Sequence, residues 1–141
     1  MTSLNDNDIE RIAHGVMTRT LPKAEWTHTA HFAAALRIIA RHGEDAEHVM
    51  PGLIRAYNEA TGTPNTDTSG YHETITLVSL RAARSVMREH EGAALADVLA
   101  VLMASEFGRS GWPLAYWRKE TLFSAEARRV WVEPDVQALG F

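Results

Sequence analysis

A chain of 141 residues, 45% hydrophobic and 23% charged, carries enough apolar material for one compact domain and excludes a disordered or fibrous design. Its formal charge of −4, with 14 basic residues scattered along the chain, lacks the basic stripe that nucleic acid requires. Without cysteine there are no disulfides, thiolate ligands or thiol nucleophile, and with no bilayer-length apolar run and no secretory pattern over residues 1–20, a cytoplasmic protein without a membrane partner is expected.

Asn5 or Asp6 caps a first predicted helix that runs to about Thr18, with Ile9, Ile12, Ala13, Val16 and Met17 at helical spacing. Leu21 and Pro22 break the pattern. A second helix begins between Trp26 and Thr29 and ends at His42, before Gly43. Pro51 and Gly52 disturb the start of a third, predicted over residues 49–61 and stopped by Gly62. The stretch GTPNTDTSG, residues 62–70, is made of turn formers and reads as a loop of the kind that carries function. A fourth helix is predicted over residues 71–90 and a fifth over 93–107, each closed by a glycine. Two shorter helices follow over residues 114–120 and 124–132, and Glu133, Pro134 and Asp135 end regular structure. The fold class is therefore all-α: a single-domain helical bundle of about five main helices plus short C-terminal ones.

At 100° per residue, His28 lies at the centre of the face of the second helix that carries Phe32, Ala35, Leu36, Ile38 and Ile39, while Arg37 and Arg41 fall opposite. His31 is its neighbour, close enough for both imidazoles to reach one ion. His72 is centred in the same way among Ile75, Thr76, Ser79, Leu80, Ala83 and Val86, with Glu73 at the edge of that face. Short connections make the second and fourth helices parallel, so their opening turns share one end of the bundle with Asn58, the 62–70 loop and the end of the fifth helix. The remaining histidines, His14, His42, His48 and His90, read as surface or helix-end residues.

A lone histidine on an apolar face is commonly a satisfied core residue, but several at one end favour a shared use. Trp26, Tyr71 and Tyr116 flank that end and are expected to wall a pocket, with Asn65 as a further substrate contact; the competing reading makes the aromatics core pieces and Asn65 a turn residue. The leading expectation is a small-molecule enzyme with a divalent ion (Zn, Ni, Fe or Mn) on His28, His31 and His72, performing hydrolase- or lyase-type proton transfer. In it Glu73 serves as fourth ligand or general base, and His72 and Glu73 are the catalytic pair. One alternative is a metal-free isomerase or cyclase using His72 and Glu73. The other is a non-catalytic module that binds a small ligand or forms a homodimer. No organic cofactor is indicated.

The strings WTHTAH at Trp26 to His31, NTDTSGYHET at Asn65 to Thr74 and YWRKETLFS at Tyr116 to Ser124 resemble a family of small, uncharacterised bacterial helical proteins with WTHxAH and NTxxxGYHET motifs. The resemblance spans nearly the whole chain and implies a shared site at these positions without implying a reaction. The di-iron arrangement of Glu-x-x-His on two helices does not match, and HExxH is absent.

Overall fold

A computed structural model describes residues 3–141 and contains helices, turns and loops, with no strand among the described residues. The helix α1 spans Asp6–Met17 and is opened by a capping box: Asn5 takes the Asp8 backbone N–H while the Asp8 carboxylate takes that of Asn5. Helix α2, His28–His42, is capped by the Thr27 side chain, and α3 spans Ala46–Ala60. Helix α4 spans Glu73–Glu89, α5 Leu95–Ala104, and two short helices, α6 at Lys119–Leu122 and α7 at Ala125–Arg129, complete the chain. No described helix is long and apolar enough to cross a membrane.

The central element is α2, which packs against α1, α3, α4 and α5. Its residues Ala30, Phe32, Ala33, Ala34, Ala35, Leu36, Ile38 and Ile39 are buried nearly all the way round. Small side chains at Ala30, Ala33, Ala34 and Ala35 let neighbouring backbones approach, and the large pieces Leu36, Leu80, Leu102 and Trp117 fill the layers beside them. Arg37 and Arg41 leave this core by pairing with Glu10 of α1.

Several boundaries differ from the sequence pattern, each for a tertiary reason. Helix α3 starts earlier than residue 49 and runs through Pro51, because burial of Ala46 and Met50 offsets the hydrogen bond that proline cannot make. Helix α5 stops at Ala104 rather than near Phe107: Ser105 is extended, its hydroxyl takes the Phe107 N–H, and Glu106–Gly108 continues as a 3-10 turn. The predicted 114–120 helix is a 3-10 turn at Trp112–Ala115 followed by α6, whose start is tied down by Asp135 accepting from the Arg118 backbone and the Thr121 hydroxyl. Helix α7 ends at Arg129 because Thr74 reaches across from α4, donating to the Val130 carbonyl and accepting from the Val132 N–H.

Candidate functional site

The opening turns of α2 and α4 lie side by side. Two spaces form between them. An inner cavity of about 80 Å³ is lined by Phe32, Ala35, Met50, Ile54, Leu80 and Trp112, with His28, His31, Thr76, Ser79 and Ser110 as its polar groups. A wider cleft of about 380 Å³ leads from the surface and is walled by Trp26, Asn58, Tyr71, His72, Phe123 and Arg128. His31, Ile54, Ile75 and Thr76 border both spaces.

Among the described residues His31 is the only imidazole on both walls. Its ring stacks on Trp26 at 3.8 Å, tilted by 30°, and Trp26 in turn meets Tyr57 edge-on at 5.4 Å. Tyr57 is fixed by its hydroxyl, which donates to the Leu21 carbonyl at 2.9 Å. The cleft leaves His31 open to solvent, yet protein surrounds it on most sides; that enclosure, with His28 nearby, holds its pKa down to about 4. It is a neutral ring at pH 7.

His28 is half-buried and sets its Nε2 2.7 Å from the Phe107 carbonyl oxygen, which only accepts, so Nε2 carries the proton. His72 is more constrained: it is the N-cap of α4, its Nδ1 accepting from the Ile75 N–H at 3.1 Å and its Nε2 donating to the Leu122 carbonyl at 2.6 Å. Both nitrogens are thus spent on backbone. Burial, reinforced by the Arg128 charge, holds His72 below its ordinary pKa, while the bond to Leu122 pulls the other way.

The arrangement differs from the expected three-imidazole set, since His28 and His72 share no wall and His72 has no nitrogen free for an ion. Among the described residues no three His, Asp or Glu side chains are grouped so as to hold a metal. Glu73 does not join the histidines. It faces another side of α4, in an open groove with Leu77, Arg81, Arg84 and Trp131, and accepts from the Tyr71 hydroxyl at 2.5 Å.

Tyr71 lines the cleft as expected but with its hydroxyl committed to Glu73; burial first, and that bond second, push the phenol above its ordinary pKa. The Arg55 guanidinium lies 4.3 Å over its ring. Asn65 holds the loop rather than lining the cleft: its amide donates to the Arg55 carbonyl, and its oxygen accepts from Asn58 and from the Tyr71 N–H. Tyr116 lies outside both spaces, packed against Trp112, Trp117 and Phe141, with its hydroxyl on the Glu106 carboxylate. Trp26 lines the cleft.

Sequence reasoning missed Arg128, Thr76, Ser79 and Phe123. Thr76 and Ser79 were visible on the His72 face, but their polarity pointed no further than an ordinary helix. The groove beside Glu73 is larger, about 620 Å³, and open; of its arginines, Arg84 pairs with Glu47 and Arg81 donates to the Phe141 carbonyl. The inner cavity is the more enclosed space, and its shape suits a small molecule better. Compared with family models, with curated proteins and with solved structures, the chain gave no match.

The depressed histidines carry a pH consequence. An unfolded chain takes up these protons near 6.5, whereas folded His31 resists until about 4, so between those values the unfolded state binds more protons and stability falls as pH is lowered. Urea unfolding of the wild type and His31→Gln across that window should show the wild type losing ground to the variant. A constant difference would show that His31 titrates normally.

Proposed function

We propose that this protein is a small-molecule-binding domain in which the cleft and the cavity behind it form one site, with His31 on the wall common to both. The observation that carries the reading is the shared wall of His31, Ile54, Ile75 and Thr76, between a cleft that carries the Arg128 guanidinium and an inner cavity that has no Asp, Glu, Lys or Arg among its described lining. A ligand with a polar head and a short aliphatic body suits that division; the inner volume is about half of the roughly 150 Å³ in which an apolar cavity holds benzene. Binding is favoured over proton-transfer catalysis because His72 and Glu73 are both committed to structural bonds. A ring held down to about 4 is, in addition, a weak base at neutral pH and better suited to hydrogen bonding.

Short branched aliphatic alcohols, amides and carboxylates serve as probes, read by tryptophan fluorescence and by the rise in Tm that binding produces. Ser79→Val should fill the cavity, keep or raise stability by up to about 1 kcal/mol and abolish binding. Trp26→Ala should weaken binding by about tenfold or more, and His28→Ala by less. A Ser79→Val protein that binds like wild type would refute the cavity as the seat of the ligand.

A narrower metal reading is favoured by one observation: His28 is oriented by a backbone carbonyl in the way metal-ligating imidazoles commonly are. His28 and His31 would then supply two ligands to a divalent ion and the bound molecule the others. Added Zn²⁺ or Ni²⁺ should raise Tm in wild type and not in His28→Ala; an equal rise in both ends this reading.

A further inference from the structure

We infer that the ligand of this site is an organic anion, a carboxylate on a short aliphatic body, whose charged end is received by Arg128 in the cleft while its apolar end enters the inner cavity. The inference rests on the binding reading above and adds the charge of the molecule bound.

Among the described residues Arg128 is the only formally charged one on the cleft wall, and no carboxylate lines it. Its neighbour in the chain, Arg129, is neutralised by Asp67, but Arg128 belongs to no ion pair among the described residues. One of its terminal nitrogens donates to the Gly70 carbonyl at 3.0 Å and reaches the Tyr71 carbonyl at 3.4 Å. Its Nε is buried and has no acceptor in the protein. A half-buried guanidinium without a countercharge bears a desolvation cost that an incoming anion relieves, and its planar fork suits a carboxylate in particular.

The surroundings agree in sign. His72, Ile75 and Thr76 belong to the cap and opening turn of α4, so the partially positive end of a long helix borders the same space. Glu73, next to His72 in the chain, lines the other groove and accepts from the Tyr71 hydroxyl. The inner cavity has no Asp, Glu, Lys or Arg among its described lining, and Phe32, Ala35, Met50, Leu80 and Trp112 wall it, which sets the uncharged half of the ligand.

The test compares 3-methylbutanoate, 3-methylbutanamide and 3-methylbutylamine by isothermal titration against wild type, Arg128→Gln, Arg128→Lys and Arg129→Gln. Wild type should prefer the carboxylate to the amide by about tenfold or more. The preference should vanish in Arg128→Gln, remain in reduced form in Arg128→Lys, and be unchanged in Arg129→Gln, which loses only the exposed pair with Asp67. Since Arg128 also steadies the 62–70 loop, Arg128→Lys guards against loss by unfolding, and the Tm of each variant is measured alongside. Equal binding of amide and carboxylate, tighter binding of the amine, or a preference that persists in Arg128→Gln overturns the anion inference and leaves the binding site standing. Failure of all three compounds to bind wild type overturns both.

Discussion

Replacing His72 by alanine is expected to destabilise the protein by about 2 to 4 kcal/mol, the combined cost of a lost helix cap and a buried carbonyl left without its donor. The imidazole joins the start of α4 to the end of α6, accepting from Ile75 and donating to Leu122, and it is only 8% exposed. His72→Asn should recover about 1 kcal/mol, since a short amide can still cap Ile75 but is too short for Leu122. Urea unfolding measures both. A histidine kept for catalysis or metal binding would behave in the opposite way, its removal leaving stability unchanged or improved. An alanine variant within about 0.5 kcal/mol of wild type would therefore return His72 to the list of functional groups.

Gly70→Ala should cost about 3 kcal/mol or more, because two separate penalties meet there. Its φ of +78° is a backbone state that L side chains rarely adopt, and an added Cβ would strike the Pro64 carbonyl and lie 2.6 Å from Asn65 Oδ1. Asn65 cannot yield, since that oxygen already accepts from Asn58 and Tyr71. Gly62 provides the internal comparison: its φ is +84°, but the space around it is open, so Gly62→Ala should cost only about 1 kcal/mol. Gly70→Ala should also weaken carboxylate binding in the protein that remains folded, because the Gly70 carbonyl is one of the acceptors that orient Arg128. Equal destabilisation by the two alanines would mean that the loop is not clamped at Pro64 and Asn65.

Some of the site was readable before the fold was known. The spacing of His28 and His31 put them together on one face of α2, and both border the inner cavity. Trp26, next to the cap of that helix, walls the cleft. Glu73 shows the limit of the same method: it adjoins His72 in sequence, but His72 is the extended cap and Glu73 the first helical residue, so the two side chains leave the backbone in different directions and enter different spaces. His72 was visible as a residue on an apolar face, while the bond that takes its second nitrogen depends on Leu122, 50 positions later. Arg128 and Arg129 look alike in the sequence. They differ only in what the fold brings to them, Asp67 for one and a carboxylate-free cleft for the other.

The main helices and their approximate ends follow from local physics. Apolar residues at helical spacing, the Asn5 and Asp8 box, the Thr27 cap and the glycines at 43, 62 and 92 act over a few residues, and such interactions can be read from neighbouring positions. The chemistry of the site depends on partners far apart in the chain: Phe107 for His28, Leu122 for His72, Glu106 for Tyr116 and Gly70 for Arg128. Which nitrogen, hydroxyl or guanidinium stays free is settled by those distant backbone and side-chain groups, and packing alone brings them within reach.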